Sequence, residues 1–377
     1  MEVALPRGVY RRCVAFFVTP HGYGHAARAA AVMAAWRRRS PDVHFEIFTR
    51  VPAWFFEDTL GDSFVLHNVL TDVGMAQRTA LDEDLEKTLH QLSRFFPLDP
   101  LIIHRLAEHL KRNECRLIVC DIAPLGIAVA HAAGIPSVLI ENFTWDYIYE
   151  GYLEKDGRFR DYIERMRELY ASVNYRIQTE PVCQRASCQL TTAPVSRAPR
   201  TSPSHVRRQL GIPDGARTVL ITMGGFSWDY RFLEALSEYP GIFFVVPGAL
   251  EAWEKRNAGL TMPGNLIALP HRSRFFHPDL VNASDAVIGK VGYSTVAEVY
   301  WAGVPFGYVP RTNFRESQSL VQFIVQEMLG VPLEGENFDR GDWLVRLPEI
   351  LSLSRLSRGG QNGAEQVAQF LDQLAAW

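Results

Sequence analysis

The feature that most constrains this chain is an alternation that runs, stops and starts again. Short apolar runs at 14–18, 44–48, 64–70, 117–120 and 138–141 alternate with helix-patterned stretches at 26–39, 82–112 (broken near Pro97 and Pro100) and 125–133. The runs are continuously apolar more than they alternate, as strands buried on both faces require. Residues 191–204 then carry Pro194, Pro199 and Pro203 among Ser, Thr and Arg. Prolines that close together cannot continue a helix or a central strand, so this stretch reads as a linker. The alternation resumes with strands at 219–223, 243–246, 266–269, 286–288 and 306–309, helices around 230–238, 295–302 and 318–329, and a closing helix at 361–374 after Gly359-Gly360. The expectation is an α/β protein of two Rossmann-like domains, with mostly parallel sheets facing across a cleft. The first domain is expected over 1–192 and the second over 205–350. The helical segment 351–377 is expected to pack back on the first.

A length of 377 residues is too much for one ordinary core, in line with two domains. The formal charge is 39 minus 42, or −3, which gives no electrostatic reason to expect nucleic acid or an anionic membrane surface as partner. No apolar stretch reaches the roughly 18 residues of a membrane span. The run at 14–18 passes straight into a Gly/His loop without a cleavage-like site, so a signal peptide is not expected and a cytoplasmic location is. Five cysteines, Cys13, Cys115, Cys120, Cys183 and Cys188, show no CxxC spacing and read as reduced thiols, neither disulfides nor zinc ligands. The basic run Arg37, Arg38, Arg39 reads as a solvated helix end.

Strand tips in such sheets carry the chemistry. The first strand ends in Thr19-Pro20-His21-Gly22-Tyr23-Gly24-His25 ahead of an Ala-rich helix. Gly22 and Gly24 permit a tight turn and close backbone approach to a ligand. His25 falls at the helix start, where the dipole favours the neutral imidazole that a general base needs; the plainer alternative is a His that only caps the helix. His21 is the competing base, or a phosphate or acceptor contact. Asp121 ends another strand at the same edge, where it can orient an imidazole or cap the next helix. In the second half Met223-Gly224-Gly225-Phe226-Ser227 joins a strand to a helix, a weak signal. Gly289-Lys290-Val291-Gly292-Tyr293-Ser294-Thr295 is stronger, because a strand ends in small residues and a helix opens with hydroxyls and free N–H groups suited to a diphosphate. It lacks the spacing of a Walker loop. Glu298, one turn later, can accept from both ribose hydroxyls or serve as the carboxylate of a capping box with Thr295. Asn313, Arg315 and Glu316 lie in a polar loop after the strand at 306–309 and suit sugar hydroxyls or a phosphate. Asp82-Glu83-Asp84 has the letters of a DxD metal motif but reads as helix-end capping. No spacing suggests a bound metal or a resident cofactor. The run Asn142-Phe143-Thr144-Trp145-Asp146-Tyr147-Ile148-Tyr149 offers aromatic faces to a sugar or fills core.

These stretches resemble the GT-B glycosyltransferases, a group that includes the peptidoglycan N-acetylglucosaminyltransferase and the plant small-molecule glycosyltransferases. Within it they are most similar to the glycosyltransferase-like N-terminal region of plant L-arabinokinases. The likeness rests on VTPHGYGHAAR (18–28), VCDIAPLGIAVAHAAGIPSVLIENFTWDYIYEGY (119–152), ASDAVIGKVGYSTVAEVYWAGVPF (283–306) and RGGQNGAE (358–365), and so spans nearly the whole sequence. Nothing here looks like the Gly/Ser-rich ATP loop of the arabinokinases' kinase half. The resemblance implies an N-terminal acceptor domain with Gly22, Tyr23 and Trp145 on the acceptor side, a C-terminal donor domain, and no metal requirement. It implies His25 as catalytic base with Asp121 as its partner, Thr295 on a phosphate and Glu298 on the ribose. UDP is the expected nucleotide. Where the peptidoglycan enzyme has adjacent glutamines for the donor sugar, this chain has Arg315-Glu316-Ser317-Gln318, so the sugar stays open. A catalytically silent nucleotide-sugar-binding module and a nucleotide-sugar epimerase of the same fold are the alternatives.

Overall fold

A parallel sheet covered on both faces needs only about five to seven residues per strand to cross its core, and seven short strands build the first sheet. They are β1 (Arg12–Val18), β2 (Val43–Thr49), β3 (Phe64–Asn68), β4 (Cys115–Asp121), β5 (Ser137–Glu141), β6 (Tyr175–Thr179) and the three-residue edge β7 (Leu190–Thr192). They form one sheet in the order β3-β2-β1-β4-β5-β6-β7, and every neighbouring pair is parallel. A second sheet holds β8 (Arg217–Thr222), β9 (Ile242–Pro247), β10 (Leu266–Leu269), β11 (Ala286–Lys290), β12 (Phe306–Val309) and β13 (Gly330–Pro332). Its order is β10-β9-β8-β11-β12-β13, again all parallel. This computed structural model describes residues 12–79, 81–224, 228, 230–256, 261–336 and 338–375. The described residues divide into one unit from Met1–Ala76, Leu85–Val195 and Gln361–Trp377, and another from Gln77–Asp84 and Ser196–Gly360.

In each sheet the chain winds outward on one side and then crosses to the other. The two halves of the winding meet between β1 and β4 in the first unit and between β8 and β11 in the second. Those two crevices, at the carboxyl ends of the strands, are where this topology receives ligands.

The helix Gly24–Arg39 covers one face of the first sheet and is buried nearly all round, which its alanines make possible. The helix Gly363–Leu374 lies against it, and Asp372 accepts from the Trp36 indole (3.1 Å), the Ser40 hydroxyl (2.6 Å) and Arg12 (3.1 Å). Gly363 fits only because it lacks a side chain: a Cβ there would sit 2.0 Å from the Ala193 carbonyl oxygen. In the second unit Phe232, Phe338 and Trp343 pack with β8, β9 and β11 residues in one buried cluster. Among the described residues no helix is long and apolar enough to cross a membrane.

Several expectations need correction. The stretch 82–112 is two helices, Leu85–Phe95 and Pro100–Arg112, and Asp82-Glu83-Asp84 lies ahead of the first. Glu83 is buried and receives Arg311 at 2.7 Å, so it anchors a guanidinium instead of serving a helix end. Residues 233–238 form a 3-10 helix. Pro203 does not sit in the linker; it opens the helix Pro203–Gln209, because a first-turn position needs no N–H donor. Strands β6, β7 and β13 are absent from the sequence reading: two have three residues, and β6 mixes polar with apolar side chains. Cys13 and Cys115 are joined in a disulfide, not free, because β1 and β4 are parallel neighbours that place the two opposite each other. Arg37 is also not simply solvated: it lies over the Phe45 ring at 5.0 Å and donates to the Leu60 carbonyl.

Candidate active site

At the first crevice β1 ends at Val18, and Val18 is in register with Asp121, the last residue of β4. The chain turns through Gly22, whose φ of 64° favours glycine, and the helix begins at Gly24. His25 therefore stands beside the tip of β4. Its Nδ1 lies 2.8 Å from Asp121 Oδ1. A proton on Nδ1 donated to that carboxylate leaves Nε2 as the basic nitrogen. Neither His25 nor any other side chain caps this helix, and Asp121 faces His25 and Arg28 instead of capping the helix Pro124–Ala133.

Arg28 is the residue the sequence reading missed. It lies three residues after His25 on the same helical face, fully buried, and grips Asp121 with two bonds, Nε to Oδ2 at 2.8 Å and Nη2 to Oδ1 at 2.7 Å. Its third nitrogen donates to Asn142 Oδ1 at 2.6 Å, just beyond β5. Burial alone would raise the Asp121 carboxyl, but Arg28 and then His25 outweigh it and hold the group below its ordinary value. The signal was available: Arg28 is the single charged residue among the alanines between His25 and Arg37.

His21 does not touch Asp121. Its Nδ1 accepts the Met75 N–H at 3.3 Å, and its ring meets Trp145 edge-on at 5.1 Å. Gly74 makes room for it, since a Cβ there would lie 2.8 Å from His21 Cβ. Tyr23 stacks on Phe55 at 4.8 Å and so fixes the turn. Trp145 is fully buried, its indole N–H donating to Asp72 Oδ2 at 2.5 Å. It builds the wall beside both histidines and presents no open face for sugar stacking. Asp72, also missed, is fully enclosed; burial lifts its carboxyl to about 7 against hydrogen bonds from the Gly74 N–H and the Trp145 indole.

At the second crevice backbone dominates. A Cβ on Gly289 would lie 2.3 Å from the Thr222 carbonyl oxygen, so only glycine lets β11 approach β8 there. Gly292 precedes the helix Tyr293–Ala302, and no side chain caps its N-terminus. The first N–H groups, from Tyr293, Ser294 and Thr295, have no intrahelical acceptor. Gly224, with φ 72°, turns the chain after β8, whereas Gly225, Phe226 and Ser227 lie outside the described residues. Lys290 ends β11 and is buried; burial first, and Arg311 second, bring its ammonium down to about 7, against Glu316 and Glu83.

Glu298 is not the carboxylate of a capping box. It is buried, with Oε1 taken by Arg197 (3.0 Å) and Oε2 by His277 Nδ1 (2.6 Å). Burial would raise its carboxyl; Arg197 and His277 outweigh that and keep it low. A ribose contact there requires exchange of one of these partners. Neither partner is close in sequence, so local spacing did not reveal them. In the polar loop Asn313 is exposed, Arg315 half-buried and Glu316 buried at the start of the helix Glu316–Glu327. Arg311 braces this loop, its guanidinium lying 3.7 Å from the centre of the Phe314 ring and its backbone N–H donating to the Ser317 hydroxyl oxygen at 2.9 Å. One further group was not expected from sequence: Glu46, His67 and His109 converge in the first unit.

No protein-family model matches the chain. It is 30% identical over 366 residues to L-arabinokinase of Arabidopsis thaliana, covering 96% of this chain and 34% of that protein. The chain thus spans about a third of the length of that relative. It is 26% identical over 289 residues to an uncharacterized glycosyltransferase of Methanopyrus kandleri, covering 70% of this chain and 78% of the other. Among solved structures it is similar to a UDP-glucosyltransferase of Polygonum tinctorium, with a TM-score of 0.60, 12% identity and coverage of 97% and 99%. The chain is a homologue of the matching third of L-arabinokinase, and its two parallel-sheet units have the GT-B glycosyltransferase fold.

Proposed function

We propose that this chain is a glycosyltransferase that moves a sugar from a UDP-sugar to an acceptor hydroxyl, inverting the anomeric centre without a catalytic metal. The observation that carries the reading is the His25–Asp121 contact at a strand switch point, backed by Arg28. Asp121 holds the Nδ1–H tautomer, and Nε2 accepts the acceptor's proton as its oxygen attacks the anomeric carbon. The bond from that carbon to the diphosphate breaks, and the electron pair leaves with UDP. The N–H groups of Tyr293, Ser294 and Thr295, with Lys290, meet the charge on the departing diphosphate. Gly224, Gly289 and Gly292 shape the donor site, Glu298 takes the ribose, and Asn313, Arg315 and Glu316 face the sugar. Gly22, Tyr23 and His21 belong to the acceptor side. One displacement gives inversion.

UDP release from a panel of UDP-sugars, followed with and without pooled small-molecule hydroxyl acceptors and with chelator present, tests the reading. Acceptor-dependent UDP release that survives chelation is the expected result. Sugar interconversion without UDP release points to an epimerase, and binding without any turnover to a silent module; either outcome overturns the proposal.

A further inference from the structure

The first sheet contains a polar cluster that the reaction above does not use. Glu46 stands in the middle of β2, three residues before its carboxyl end, and is buried. His67 reaches its Oε2 from β3 at 2.5 Å, and His109 reaches the same oxygen from the helix Pro100–Arg112 at 2.9 Å; both meet it with Nε2. Asn113 donates to the other carboxylate oxygen at 2.8 Å. The three potential ligand atoms all lie within 4.8 Å of one another. The imidazoles are held in place by packing: His67 stacks on Phe48 at 4.4 Å and meets His109 edge-on at 4.8 Å.

We propose that Glu46, His67 and His109 form a site for a divalent transition cation of the zinc class, which ties the edge strand β3 to β2 and to the helix Pro100–Arg112. Two imidazoles and one carboxylate are the donor set that zinc accepts when three protein groups leave a position for water. Tetrahedral bonds of about 2.0–2.2 Å place ligand atoms about 3.3–3.6 Å apart. The two spacings to Glu46 Oε2, 2.5 and 2.9 Å, are shorter than that by up to about 1 Å, a gap that small rotations of the two imidazole side chains close. The imidazole side chains are 24% and 30% exposed, so an ion has a route in, while the carboxylate is only 6% exposed. Asn113 orients that carboxylate as an outer partner, a role that ligand carboxylates ordinarily require. The location is structural: the cluster lies on three elements at one side of the sheet, and β3 is its edge.

The test uses the full chain after chelator treatment, with zinc chloride as probe in calorimetry and cobalt chloride in visible absorption. The expected result is uptake of one zinc per chain, a rise in melting temperature on zinc addition, and a cobalt spectrum of a four-coordinate nitrogen–oxygen site. His67→Ala and His109→Ala should abolish all three, whereas His104→Ala, at an exposed position on the same helix, should change none. Wild-type protein that takes up no zinc, or uptake that persists in both His67→Ala and His109→Ala, overturns the proposal. If the alanine variants do not fold in chelator, the wild-type cobalt spectrum decides: absorption no stronger than that of the aqueous ion contradicts the site.

Discussion

The two strand switch points share a topology and differ in what they expose. In the first, side chains at the tips close on one another: Arg28 and His25 both meet Asp121, and Arg28 goes on to Asn142. In the second, backbone comes forward at the tip, beside the Lys290 side chain. Gly289 lets two strands approach, and the helix that follows begins without a side-chain cap. A crevice lined by a charge network offers one poised nitrogen. A crevice lined by backbone N–H groups offers a cradle for anionic oxygens. The parallel sheet supplies two equivalent positions, and in the proposed mechanism the residues at the strand ends make the first reactive and the second a binding site.

The largest effect expected is on the reactive side. His25→Ala should lower turnover by roughly 10²–10⁴, the usual worth of a positioned general base. His21→Ala is the comparison, because His21 lacks the Asp121 contact. If His21→Ala abolishes sugar transfer and His25→Ala does not, the base is the other histidine.

Next come the buried ion pairs. Arg28→Met leaves Asp121 charged and enclosed and should cost about 3–5 kcal/mol of stability by chemical denaturation. Glu83→Ala should cost a similar amount by stranding Arg311 beside Lys290. A change under about 1 kcal/mol in either variant means that water or rearrangement already compensates the charge. Asp121 and Glu298 are both held below the ordinary carboxyl value. The stability they contribute is therefore fully present above about pH 4 and withdrawn as the pH falls through their lower folded values. Asp121→Asn should flatten that acid limb of the melting curve, and an unchanged limb would count against the strength of the pairing.

A smaller effect separates the two roles open to Glu298. Glu298→Ala should weaken UDP binding by about 1.5–3 kcal/mol in calorimetry. Unchanged affinity with a lower melting temperature would make Glu298 only the anchor of Arg197 and His277. Asp82→Asn, at an exposed pair with Arg78, should stay within about 0.5 kcal/mol of wild type in stability, in contrast to Glu83 next to it.

What was legible in the sequence follows from this same division. The alternation of apolar runs with helices revealed both sheets, because burial on two faces leaves a local signature. His25, Asp121 and the 289–295 loop were legible because a strand end followed by glycine or a helix start is also local. Arg197 and His277 were not, since each acquires meaning from a partner on a distant element; Arg28 stood out as a lone charge among alanines, but its role too comes from distant partners. Glu46, His67 and His109 come from two strands and a helix and share no spacing at all. Strands β7 and β13 are too short to carry a pattern, and the Cys13–Cys115 pair depends on strand register, which composition does not encode.

The central claim is that the base and the nucleotide site reside in different units. UDP binding to the His25→Ala protein, measured by calorimetry beside wild type and Glu298→Ala, tests it most directly. The account predicts equal affinity for wild type and His25→Ala, with the loss confined to Glu298→Ala. UDP binding that falls in His25→Ala as far as in Glu298→Ala, with folding intact, would contradict it.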